Sequence, residues 1–244
     1  MFKKLFTFWK KREKPKIHWW STIDGVESVT PILQAKHVIP DWWKRVERMV
    51  SSFDEKGTVR NCPSFPEFIS EGFVVPLWTD LHLKVDHKGY EWKTPSEAFS
   101  FSSHNDTQFR DWLPQHIKDN SSMVLKPNCP WRVKTPPGWS MWQLPMFYHF
   151  NSTFEVMPGI IWTDIHHEIN QQMLIKRYGE FDIKRGTPLA IYVPYERNKY
   201  TYDISGPTEE NSTWANKAYI HVRSKFKGGY KLHQAEVKKC PVKH

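Results

Sequence analysis

No apolar run in the 244-residue sequence approaches the roughly 20 residues that a membrane-spanning helix needs, so a membrane is not the expected partner. Cysteine is also scarce: Cys62, Cys129 and Cys240 lie far apart and form no CxxC pair. So few, scattered thiols argue against a disulfide framework and against a paired-thiolate zinc site, and they fit a reducing compartment. Glycine is outnumbered by proline, 11 to 18, which favours extended segments and fixed turns over long helices. Internal repeats and low-complexity tracts are missing as well. The opening MFKKLFTFWKKREKPK begins basic, but charge interrupts its apolar residues and no small-residue cleavage site follows, so secretion by a signal peptide is not expected. Its Phe2, Leu5, Phe6 and Trp9 can share one face of a short amphipathic helix on a membrane surface. A frayed tail or a peptide docking into a partner protein fits the same residues equally well.

Aromatic residues are plentiful, 15% of the chain with 13 Trp, and they suit cores and interfaces alike. The net charge is +9, from 35 basic and 26 acidic residues, a balance that points towards nucleic acid, an anionic surface or an acidic protein. Much of the excess lies at the ends, however, in Lys3, Lys4, Lys10, Lys11, Arg12, Lys14 and Lys16 and in Lys238, Lys239 and Lys243. Charged tails are normally solvated, and no comb of Arg and Lys runs between the strand aromatics, so nucleic acid is not the expected partner.

Short apolar alternations separated by turn residues predict a mainly β protein, a compact antiparallel barrel or sandwich. FVVPLWTDLHLKVD reads as one strand, with a hairpin turn at Lys88-Gly89. SFSSHNDTQFRDWLPQHI reads as loop, and strands then recur in WRVKTP, WSMWQLPMFYHF, FEVMPGIIWT, HEINQQMLIKR and EFDIKRGTPLAIYVPYER. Before them KIHWWSTI reads as β, residues 41–53 as a helix with Asp41 as its cap, and Pro66–Gly72 as a helical turn. Near the end Trp214, Ala218, Val222 and Phe226 form one stripe of a helix over 207–228, closed by Gly228-Gly229. The organisation expected is an aromatic, basic N-terminal extension over 1–71, a β core over 72–200 and a C-terminal helix with a basic tail over 201–244.

The order LWTDLHL (77–83), TPPGWSMWQLPMFY (135–148), PGIIWTDIHHEI (158–169) and IKRGTPLAIYVP (183–194) resembles the motif order of the dUTPase superfamily over roughly half the chain. The resemblance implies a β-clip core, a homotrimer and, where the active site is intact, a Mg-dependent nucleoside triphosphate diphosphatase. It places Asp80 at the acid supporting the metal and phosphate region, and Asp164 at the second acid of the hairpin. Trp162, however, stands where the family has the acid that activates water. Met146, Phe147 and Tyr148 replace an Arg-Ser-Gly phosphate contact, Ile165 a sugar-stacking tyrosine, and His167 a turn glycine. An indole only donates and cannot orient an attacking water as a base. The whole chain, with WWSTI (19–23), NCPSFPEF (61–68) and HHEINQQ (166–172), also resembles a family carried by tailed bacteriophages of marine bacteria. Together the two resemblances imply a non-enzymatic structural or interaction protein in the virion or the infected host's cytoplasm. It would bind other phage proteins through its tails and need no cofactor. The alternative is a nucleotide pyrophosphatase with a rearranged site built on Asp80 and Asp164.

Two further constellations are worth weighing. If PGIIWTDIHHEINQQ is a strand, His166 and Glu168 share a face with Asp164, and His149 can add a fourth metal ligand. Alternate residues splay about 6.5–7 Å apart, too far for three ligands on one ion, so His166 and Glu168 with a distant His is the feasible set. A polar or subunit-contact face is the plainer reading of the same residues. Trp162, Phe147 and Tyr148 are candidates for an aromatic binding surface, although aromatics alternating on strands are more often core.

Overall fold

Alternation sets the strands. In LHLKVD, Leu81, Leu83 and Val85 are buried while His82, Lys84 and Asp86 are partly exposed, the period-two signature of a strand with one face on a core. The computed structural model describes residues 14–48, 58–62, 64–104, 106–120, 123–198, 200–223 and 235. The first third of the chain carries β1 (His18–Ser21), α1 (Val26–Val29), β2 (Leu33–Gln34), α2 (Asp41–Lys44) and α3 (Ser64–Ser70). Next come β3 (Phe73–Pro76), β4 (Leu81–Asp86), β5 (Gly89–Lys93), β6 (Phe101–Ser103), α4 (Gln115–Lys118), β7 (Val124–Pro127) and β8 (Trp131–Lys134). The remainder is β9 (Trp139–Pro145), β10 (Phe154–Val156), β11 (Gly159–Ile161), β12 (Met173–Ile175), β13 (Gly179–Ile183), β14 (Pro188–Glu196) and α5 (Glu209–Arg223).

The protein is mainly β, and each strand pairing is antiparallel. Among the described residues the strands form four open sheets, ordered β11-β9-β14-β3-β2, β10-β12-β7-β6, β13-β4-β5 and β1-β8. A closed barrel, one of the expected architectures, is not formed among the described residues. One core unites the sheets through Leu77, Leu83, Leu125, Met141, Met173, Ile175 and Tyr192, all fully buried. Buried Tyr192 keeps its hydroxyl satisfied by donating to Gln143 Oε1 at 2.8 Å. The stretch expected as an N-terminal extension supplies strands: β1 pairs along β8 and β2 along β3. Residues up to Asn198 form one unit and residues from Lys199 a second, in which α5 runs as a single helix. No helix among the described residues is long and apolar enough to cross a membrane.

Several elements differ from the sequence expectation, each for a local reason. The single strand expected over 73–86 breaks at Leu77–Asp80. There Leu77 N–H donates to Thr187 O at 2.8 Å, and the Trp78 indole donates to Asn128 O at 2.9 Å. The helix expected from Asp41 stops at Lys44, because the carbonyls of Val46 and Arg48 accept instead from Arg60 Nη1 (2.7 Å) and Thr58 N–H (3.1 Å); its expected members Met49, Val50 and Phe53 lie outside the described residues. The expected loop after Phe99 contains β6, two 3-10 turns and α4. Of HEINQQMLIKR only Met173–Ile175 is strand. Within α5 the stripe residue Trp214 is 62% exposed, and Phe226 lies outside the described residues.

Candidate functional site

The segment following β11 is a tight turn, which corrects the strand on which the metal reading depended. Trp162 O accepts from both Ile165 N–H (3.0 Å) and His166 N–H (2.8 Å), so the chain reverses within five residues. Thr163 is fully buried beneath the turn, its hydroxyl 2.7 Å from that of Thr135. Asp164 is thereby aimed at the neighbouring Pro136-Pro137-Gly138 turn, where its Oδ2 accepts Gly138 N–H at 2.9 Å. Gly138 has φ +83, a conformation that suits glycine.

Arg197, the residue after β14, completes the arrangement. Its Nη1 donates to Asp164 Oδ1 at 2.9 Å and its Nη2 to Oδ2, a two-point ion pair with the Asp164 side chain only 8% exposed. Nη1 also donates to Trp139 O (3.0 Å) and to Ser140 Oγ. The guanidinium lies 4.6 Å over the Trp162 ring, a cation–π contact. The hydrogen bond from Arg197 is the main influence on Asp164 and holds its carboxyl below the usual range, while the pair raises Arg197. A carboxylate pinned by a bidentate cation and a backbone N–H is a poor base, because abstracting a proton would break those bonds.

The other predicted site residues are dispersed. Asp80 Oδ1 accepts Arg185 N–H at 2.8 Å, holding the turn before β14, whereas Asp164 sits beyond the strand's far end. Eight strand steps from Pro188 to Glu196 separate the two places by roughly 26 Å. His149 follows the opposite end of β9 from Trp139, and its Nε2–H donates to Val38 O at 3.1 Å; half-burial lowers its pKa. Tyr148 packs on Phe65 at 4.1 Å between ring centres, within a small aromatic core with Trp43 and Phe68, while Phe147 remains about half exposed. His166 is exposed in the turn, and Glu168 pairs with Arg132 at 3.8 Å. His166, Glu168 and His149 therefore do not converge. Among the described residues no three His, Cys, Asp or Glu side chains are placed to share a metal ion.

Sequence reasoning missed Arg197. A lone arginine after a strand carries no motif, and its role emerges only when β14 pairs along the whole of β9 and delivers it beside Ser140. The same pairing creates an uncovered apolar surface. Trp142 and Ile160 face each other across β9 and β11, both over 40% exposed, with the Tyr195 ring 5.6 Å from Trp142. Trp162 and Ile165 extend the exposed apolar residues into the turn. No protein-family model matches the chain, and no curated protein matches it.

Proposed function

We propose that the protein is a non-enzymatic interaction or assembly protein of a phage, built on a dUTPase-like β-clip core that has lost the family's hydrolytic site. The observation that carries this reading is the Asp164–Arg197–Trp162 arrangement. The position of the water-activating acid holds an indole, and the neighbouring acid is bound into a structural ion pair. Loss of a positioned base costs roughly 10²–10⁴-fold in rate. The exposed Trp142, Ile160, Trp162 and Ile165 at the same end supply an apolar docking face, for another phage protein or for a second copy in a homotrimer. A pyrophosphatase using Asp80 and Asp164 would have to join these acids across subunits, since one chain separates them by the length of β14.

The test is mass spectrometry of purified particles and of assembly intermediates from infected cells. The protein is expected in one or the other, and Trp142→Glu, at an outward position, should fold normally yet be lost from them. Absence of the wild type from both would contradict the reading.

A further inference from the structure

A cleft of about 370 Å³ opens where β9 ends at Pro145, between β10 and the first residues of β14. Its volume falls within the roughly 300–1,000 Å³ of small-molecule sites. Met146 and Phe147 line it at the position that the dUTPase resemblance gives to a phosphate contact, yet the lining does not suit a phosphate. Its charged side chains are one acid and one base, Glu155 and Lys176, which pair at 3.7 Å. Lys176 Nζ also donates to Asn151 O at 3.0 Å. His149 brings no charge at neutral pH, because half-burial lowers its pKa, and its Nε2–H is given to Val38 O. The lining therefore has no net charge to offer an ion.

It offers apolar surface and neutral hydrogen-bonding groups instead. Pro145, Phe154, Val156, Pro188 and Leu189 form the walls, and Phe147 and Phe150 stand at the mouth, the first about half exposed and the second 69% exposed. Phe150 closes the 3-10 turn Phe147–His149, and among the described residues it alone, glycines aside, has a positive φ (φ 48). Glycine or asparagine would close that turn at less cost, so a bulky residue there is strained. Packing returns little for the strain, since the ring is mostly in solvent with the Trp42 ring 5.8 Å away. Strain of this kind gathers at ligand clamps. Asn151, the next residue, fixes the turn through Oδ1, which accepts the N–H groups of Thr153 (2.8 Å) and Phe154 (3.1 Å). The Asn151 Nδ2 group and the Thr187 hydroxyl, both in the lining, have no partner among the described residues and can bond a neutral amide or carbonyl.

We propose that this cleft binds a flat, uncharged ligand carrying an amide or carbonyl group, with its flat body against Phe147 and Phe150 and its polar group on Asn151 and Thr187.

Ligand-observed NMR on the full chain tests this with indole-3-acetamide, indole-3-acetate and cyclohexylacetamide as probes. Indole-3-acetamide should bind in saturable fashion. Indole-3-acetate has the same shape with a charge and should bind about tenfold more weakly or worse. Cyclohexylacetamide keeps the amide without the flat ring and should bind several-fold more weakly. Phe150→Asn, which suits the left-handed backbone, should keep or raise the thermal midpoint and weaken indole-3-acetamide by about tenfold or more. Thr187→Val, away from the strained residue, should weaken it about threefold or more. The proposal is overturned if indole-3-acetamide does not bind, if either other probe binds as well, or if binding survives both variants. Binding that survives them and is lost in Trp142→Glu would place the ligand on the apolar face of β9 and β11 instead.

Discussion

The carboxylate of Asp164 accepts from Arg197 at both oxygens and from the Gly138 backbone, so its role is structural. Asp164→Asn should therefore lower unfolding stability at neutral pH by about 1–3 kcal/mol, read by urea denaturation, because it leaves the guanidinium without its counter-charge. The pH dependence has a defined sign. Arg197 depresses the folded-state pKa of Asp164 below its ordinary 3.8, so on acidification the unfolded chain takes up the proton first. The contribution is complete above the ordinary value and is lost as pH falls through the folded one. The gap between wild type and Asp164→Asn should accordingly close under acid conditions; a gap that widens would be incompatible with the ion pair. The thiols make a second residue-scale prediction. Burial pushes Cys129 up to about 12, whereas Cys62 is exposed. Brief alkylation of native protein near pH 8 should modify Cys62 and spare Cys129 until denaturant is added, as peptide mapping would show.

At the scale of elements, Gly72 is the tightest junction. It has φ +83, and a β-carbon there would lie 2.4 Å from the carbonyl oxygen of Tyr192 on β14, while its own carbonyl accepts Ala35 N–H. Gly72→Ala should cost at least about 1–3 kcal/mol and lower the thermal midpoint, whereas Gly25→Ala, with open space around it, should pay only the conformational penalty. A Gly72→Ala midpoint no lower than that of Gly25→Ala would refute this packing. These junctions also show what the sequence made legible. Leu81, Leu83 and Val85 announced β4 by alternation, and Lys88-Gly89 its turn, because period and turn chemistry are local properties. The break at Trp78 was not visible, since it depends on Asn128 and Thr187, distant in sequence. Nor was the Asp164 turn, whose geometry is set by Thr135 and Gly138 across a sheet. The individual acids were identifiable as candidates from their surroundings in sequence. Their separation along β14 was not, because strand order is a long-range outcome.

At the scale of the whole molecule, the exposed apolar face around Trp142 fits the homotrimer proposed above. Light scattering should give three times the 29.1 kDa chain mass, and a strictly monomeric protein would remove the trimer from the proposal. If the proposed function holds, the indole at position 162 and the tie between Asp164 and Arg197 leave no side chain there to activate a water against a phosphoanhydride. The most direct measurement of this is pyrophosphate release when the purified protein meets each dNTP with Mg²⁺ or Mn²⁺. Release should be no faster than in buffer alone. Turnover that disappears in Asp80→Ala or Asp164→Ala would contradict it.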